Sequence, residues 1–213
     1  APSSLLVVTD SNVHRARGKA LHAALDALAV PWSELTLAPG ESYKNLASVS
    51  AIWDAALGAD LDRDAVIVAF GGGVVGDLAG FAASSLLRGV RFVGVPTTLL
   101  SMVDASVGGK TGFDHPAGKN LVGAFHQPSA VIADVAHLST LPARDLACGF
   151  AEIVKIALTR DAAFFSRIES TTNQAKSGDR AILAEYIRRS VELKAEIVRD
   201  DEREAGNRAI LNF

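Results

Sequence analysis

A chain of 213 residues, 49% of them hydrophobic, is long enough to bury one large core, or one domain and part of a second. Its 21 basic and 24 acidic side chains are interspersed and leave a net charge of −3, which provides no long-range field for a nucleic acid or an acidic membrane surface. A single cysteine, Cys148, excludes an internal disulfide, and no charged segment leads into an apolar one at the start, so a cytoplasmic setting is expected. Cys148 itself is expected to pack as a small buried hydrophobe. Every apolar stretch is broken well short of the ~18 residues of a membrane span.

Residues 5–9 (LLVVT) form a β-branched run that ends at Asp10, and residues 14–28 follow with helical spacing of Leu21, Ala24, Leu25 and Leu28. Residues 32–38 predict a weaker second strand and residues 48–57 a second helix. Residues 65–70 (AVIVAF) are apolar throughout, as a strand covered on both faces requires, so a parallel α/β sheet is expected. A turn over Gly71, Gly72 and Gly73 leads to a helix over residues 75–87, then to strands over 92–95 and 131–133. Past Leu138 the pattern changes to helices over 142–158, 161–171 and 180–200 with no strand between them. The fold class is therefore α/β, with a parallel-sheet domain over 1–140 followed by the start of an all-α domain over 141–213. The chain opens almost on a strand and stops at Leu211-Asn212-Phe213 within an apolar run, so both ends are expected to be trimmed.

Gly71, Gly73 and Gly76 fit GxGxxG directly after a buried strand and before a helix, where backbone amides can approach a pyrophosphate. The pattern follows the third strand, and no acid stands about 20 residues later to hold a ribose, so this is not a standard Rossmann dehydrogenase. Asp10 and Glu41 end the first two strands and would share one sheet edge with the glycines, where they could meet an adenosine. The plainer alternatives are tight turn packing for the glycines, a helix N-cap for Asp10 and a solvated turn acid for Glu41. SVGGKT, starting at Ser106, is not a phosphate-binding GxxxxGKT loop, because Asp104 stands where the first glycine is needed. Asp104, Lys110, Lys119 and Asn120 instead suggest a loop region forming a polar pocket for a hydroxylated anion, each also compatible with a surface position.

Five segments carry a resemblance to one family: GGGVVGDLAGFAA from Gly71, LLRGVRFVGVPTTLLSMVDASVGGKTG from Leu86, HPAGKNLVGAFHQP from His115, LPARDLACGFAEIVKIAL from Leu141 and DDEREAGNRAILNF from Asp200. Over nearly its whole length the chain resembles 3-dehydroquinate synthase, of the sugar-phosphate cyclase superfamily. The resemblance implies an NAD-binding α/β domain, a helical metal and substrate domain, a homodimer, and a lyase of the shikimate pathway of aromatic amino acid biosynthesis. Its cofactors would be NAD and a divalent metal, zinc or cobalt, and its partners would include neither nucleic acid nor membrane.

The same resemblance assigns Asp10, Asn12, Glu41, Lys44, Gly71, Gly72, Gly73, Asp77, Thr97 and Thr98 to NAD. It assigns Arg88, Lys119, Asn120, Lys194, Arg208 and Asn212 to substrate, with Asp104, Lys110 and Lys155 as catalytic groups. An arginine such as Arg88 reaches the neighbouring subunit's site in the family. Glu152 matches the metal-holding carboxylate, whose two histidine partners lie beyond the end of this chain; His14, His22, His115, His126 and His137 do not stand at those positions. A catalytic zinc normally takes three protein ligands, so this polypeptide is expected to bind NAD better than it turns over. Phe113-Asp114 is a further departure from the family pattern, of open meaning.

The implied reaction uses NAD as a temporary electron sink, so that phosphate leaves next to a transient ketone before the carbocycle closes. Glu152 and Lys155 would share one helix face near that centre, or form an ordinary i,i+3 pair. Arg208, with its two-pronged donor, and Asn212 favour a carboxylated substrate over those of the valiolone- and inosose-forming cyclases. Lys194, Arg208 and Asn212 also fit a solvated helical face. The polyol and alcohol dehydrogenases that share the glycine turn rank lower, since Gly76-Asp77-Leu78-Ala79-Gly80 replaces their usual pattern. A non-catalytic, truncated NAD-binding form is the reading from a different class.

Overall fold

Alternation along the apolar strands sorts their side chains to two faces, and both faces are covered. The computed structural model describes residues 1–200. β1 (Leu5–Asp10) and β3 (Val66–Gly71) send Leu6, Val8, Ile67 and Ala69 into one core, and Leu5, Val7, Val66, Val68 and Phe70 into the other. The first core is filled from α2 (Leu46–Gly58) and α3 (Gly73–Ser85), and the second includes Leu25 of α1 (Ser11–Asp26). With β2 (Trp32–Leu37), β4 (Arg91–Pro96) and β7 (Ala130–Val131) they form a five-stranded parallel sheet in the order β2-β1-β3-β4-β7. The β1–α1–β2 connection runs to one side and β3–α3–β4 to the other, so the order reverses between β1 and β3.

An antiparallel hairpin stands apart from that sheet. β5 (Lys110–His115) pairs with β6 (Gly118–Phe125), where a polar loop was expected. Glycines make the close pairing possible: a Cβ at Gly112 would come within 2.5 Å of the Val122 carbonyl oxygen, and one at Gly123 within 2.3 Å of that of Thr111. Phe113 is buried and meets Phe81 of α3 edge-on at 5.3 Å. Lys110, Lys119 and Asn120 thus lie on strands, and Asp104 lies in a π-helical turn, Ser101–Ala105.

The chain divides into two units, Ala1–Pro96 with Gly109–Ile132, and Thr97–Gly108 with the chain from Ala133 onward. This division differs from a single boundary at 140. Leu99, Met102, Val103 and Leu138 are buried in one cluster with Ile153 and Ile156 of α4 (Ala143–Arg160), Ile168 of α5 (Ala162–Lys176) and Tyr186 of α6 (Arg180–Asp200). Within that unit Gly149 lets α4 approach the 97–108 segment, since a Cβ there would sit 2.5 Å from Leu99 Cβ and 2.8 Å from the Leu100 amide nitrogen. Cys148, next to it, is exposed rather than buried. The inward stripe of α4 is Gly149, Ile153, Ile156 and Ala157, and a neighbour one residue away points about 100° off it. Among the described residues no helix is long and apolar enough to cross a membrane.

Candidate active site

In a parallel sheet every strand delivers its C-terminal end to one edge, and ligands are received where the strand order reverses. Asp10 ends β1, the Gly71 turn ends β3, and both stand at that reversal. The helix N-termini around the chain differ in how they are finished. α1, α2, α5 and α6 receive side-chain caps from Asp10, Asn45, Asp161 and Asp179; α4, after Pro142, has none, and neither does α3, whose N-cap is Gly72. Its first amides, with the positive end of the helix dipole, are therefore offered to an anion rather than to a side chain. Gly71 has no room for a larger residue, because a Cβ would lie 2.6 Å from Val75 Cβ.

Asp10 Oδ1 accepts from the amides of Asn12 (2.8 Å) and Val13 (3.1 Å), so the N-cap anticipated as its plainer role is made, while Asn12 itself is exposed. Around the start of α3 lies a charged network that the sequence did not announce. Lys44 is 5% exposed; its Nζ is 2.6 Å from Asp77 Oδ2 on α3 and donates to Asn120 Oδ1 on β6 at 2.5 Å. Asn120 sits in the left-handed region at φ 56°, and its amide donates to Asp114 Oδ1 at 2.9 Å. The Asp114 amide in turn donates to the Lys44 carbonyl at 2.8 Å. Of the Phe113-Asp114 pair, Phe113 anchors the hairpin to α3, and Asp114 bonds both to the Lys44 backbone and to Asn120 of the returning strand. A more exposed pair, Lys119 Nζ to Glu41 Oε1 at 3.1 Å, ties the hairpin to the 3₁₀ turn Glu41–Tyr43.

Arg88 is exposed on a turn in which Leu87, Arg88 and Gly89 have φ of 50°, 69° and 119°. Two successive non-glycine residues in that region are uncommon, and such strain gathers at functional turns. Lys110 opens β5 with an exposed side chain.

In the helical unit, Thr97 is buried and its hydroxyl has no hydrogen-bond partner, whereas Thr98 exchanges bonds with Ser101. A buried hydroxyl left unsatisfied is costly, and a ligand polar group would relieve it. Lys194 of α6, 6% exposed, donates to the Asp104 carbonyl at 2.6 Å and to its carboxylate. Glu152 and Lys155, one turn apart on α4, are 2.9 Å apart and largely shielded from solvent. Arg208 and Asn212 lie outside the described residues.

Within the sheet unit the uncapped α3 terminus fits the pyrophosphate of a dinucleotide. The metal is different: among the described residues Glu152 belongs to no group of three ligand side chains, so those residues alone do not make a catalytic ion site.

Two family models match the chain in succession, meeting between residues 148 and 149. Residues 34–148 match the family model described as 3-dehydroquinate synthase N-terminal, and residues 149–213 the one described as 3-dehydroquinate synthase C-terminal. All of the chain superposes on 60% of 2-epi-5-epi-valiolone synthase from Streptomyces hygroscopicus subsp. jinggangensis 5008, solved with NAD+ and Zn2+, at 33% identity and a TM-score of 0.93. It likewise covers 57% of a 2-deoxy-scyllo-inosose synthase complexed with carbaglucose-6-phosphate, NAD+ and Co2+, at 28% identity and a TM-score of 0.90. An iron-containing alcohol dehydrogenase shares the fold at 16% identity and a TM-score of 0.72, over 92% of this chain. The chain thus spans about 60% of the length of the solved cyclases it matches. Two adjoining family matches that together run from residue 34 to residue 213, on a parallel sheet followed by helices, establish that this chain belongs to the 3-dehydroquinate synthase family.

Proposed function

We propose that the protein acts as an NAD- and metal-dependent sugar-phosphate cyclase that converts 3-deoxy-arabino-heptulosonate 7-phosphate to 3-dehydroquinate with release of phosphate. The observation that carries this reading is the open N-terminus of α3 at the reversal of the sheet, a seat for a pyrophosphate. NAD, when bound, would supply a temporary two-electron oxidation of a ring carbinol, which acidifies the neighbouring C–H and lets phosphate leave.

The chain's own groups would do the holding. Asp77, Lys44 and Asn120 fix the mouth of the glycine turn, and Glu41, Asn12, Thr97 and Thr98 offer polar atoms to the cofactor. Lys194 immobilises Asp104, whose carboxylate would accept hydrogen bonds from substrate hydroxyls. Lys110, Lys119 and Arg88 would present cations to phosphate or carboxylate, Arg88 by reaching a second copy of the chain in a homodimer. Glu152, with Lys155 as its counter-charge, would be one anchor of the divalent ion.

A carboxylated substrate is favoured by Arg208 and Asn212. The 33% identity to a valiolone synthase over the whole chain favours a second reading, a cyclase whose substrate lacks that carboxylate. The test is phosphate release by the purified protein, with NAD and zinc, from the keto-acid phosphate and from a seven-carbon ketose phosphate without the acid. Faster release from the acid is expected; faster release from the ketose moves the protein to the second reading. Release from neither leaves a nucleotide-binding, non-catalytic chain.

A further inference from the structure

On the outer side of the sheet unit, His14 and His22 of α1 converge on Glu34 of the edge strand β2. His14 Nδ1 lies 2.7 Å from Glu34 Oε1, and His22 Nε2 lies 2.7 Å from Glu34 Oε2. The ligand atoms of all three side chains fall within 4.8 Å of one another. None of these residues takes part in the site described above.

Two helical residues eight apart are separated by about 12 Å along the axis, so their rings meet only if one leans against the usual direction. Gly18, halfway between them, permits it. His14 lies over that glycine, where a Cβ would be 3.1 Å from its Nδ1, and the two rings come to 5.7 Å between centroids. A buried glycine inside a helix costs about 1 kcal/mol relative to alanine, and the space it leaves here is occupied by a potential ligand. Glu34 is the most shielded member, its side chain 12% exposed, and its orientation is set by Thr36, whose hydroxyl donates to Oε1 at 2.8 Å. Burial pushes the Glu34 carboxyl upward, but hydrogen bonds from His22, Thr36 and His14 more than reverse this and hold it below the usual carboxylate value. The Trp32 ring, 5.0 Å from that of His22, packs beside the cluster. The imidazoles keep 44% and 37% of their side-chain surface open, leaving room for water.

We propose that His14, His22 and Glu34 form a binding site for a borderline divalent transition ion such as Zn2+, held by two imidazole nitrogens and one carboxylate with water completing the shell. Around a tetrahedral ion with bonds of ~2.1 Å, ligand atoms stand about 3.4 Å apart, so the observed cluster needs only a small adjustment. Both rings ligate as neutral imidazoles, their protons moving to the opposite nitrogens. Two imidazoles select this ion class over Mg2+ or Ca2+, which prefer all-oxygen shells. The bound ion clamps α1 to the edge strand of the sheet.

The test is ZnCl2 titration of the full chain against a chromophoric chelator, in a Glu152→Ala background so that the other candidate anchor is removed, with His imidazole resonances followed by NMR. One zinc per chain is expected, with shifts at His14 and His22. Binding should weaken at least about 100-fold in His22→Gln and about 10-fold in Thr36→Val, which leaves every ligand in place. Gly18→Ala probes the packing under the ring: its Cβ would stand 3.1 Å from His14 Nδ1, so the ring must shift by a few tenths of an ångström and binding should weaken, though less than in His22→Gln. Zinc binding unchanged in His22→Gln and Gly18→Ala, or no zinc bound by a folded protein, would show the cluster to be a hydrogen-bonded clasp only and overturn the proposal.

Discussion

Lys44 shows how one side chain can hold a site open. Its ammonium is nearly withdrawn from solvent and is shared by Asp77 and Asn120, so three separate segments depend on one cation. Removing a buried partner leaves an uncompensated charge, and because Asp77 keeps some solvent contact, Lys44→Met should cost about 2–3 kcal/mol in urea unfolding. Asp77→Asn strands the more deeply buried Lys44 ammonium, so its loss should be at least as large; a loss near zero would contradict the network. The sequence showed Lys44 and Asp77 as separate polar positions, and nothing in their spacing announced the pair, because 32 residues, including a helix and a strand, lie between them. Asp10 was more legible, since an acid after a β-branched run and before a helical pattern is a capping signal in itself.

At the scale of elements, the strands and helices of the sheet were readable because burial on both faces leaves continuous apolar runs. The β5–β6 hairpin was not. Its strands are rich in glycine, lysine and asparagine, and their pairing depends on backbones approaching where Gly112 and Gly123 have no side chain, which no hydrophobic period records. Gly149 on α4 plays a similar part in the helical unit. Gly149→Ala gains helix propensity but drives a methyl into Leu99 and the Leu100 backbone, so a net loss of about 1–2 kcal/mol is expected in thermal or urea unfolding. A stabilised variant would mean that α4 does not pack there.

The junction of α4 with α5 gives a pH prediction. The Phe164 amide and then the Arg189 guanidinium hold the Asp161 carboxyl below its ordinary value, against a smaller opposing effect of desolvation. A depressed folded value means that this contribution is complete above the ordinary aspartate range and is lost as pH falls through the folded value. Asp161→Asn keeps the cap but not the charge. Its melting temperature should lie below that of the parent at neutral pH and converge with it in acid; a constant gap would contradict the assignment.

For the whole molecule, two adjoining family matches and a sheet that reverses beside an uncapped, glycine-initiated helix lead to the same proposal, a chain that seats NAD at the start of α3. The order of a sheet domain and then helices was visible in the sequence. The return of residues 97–108 to the helical unit was not, because Leu99, Met102 and Val103 find their partners only in helices that begin more than 30 residues later. The most direct measurement is calorimetric titration of NAD+ into the full chain and into Gly73→Asp. A carboxylate in the first turn favours the helix but occupies and repels the pyrophosphate seat. Saturable binding of one NAD+ per chain, abolished in a variant that melts no lower, is the predicted result; a folded parent that binds no NAD+, or a variant that binds it equally well, would contradict the account.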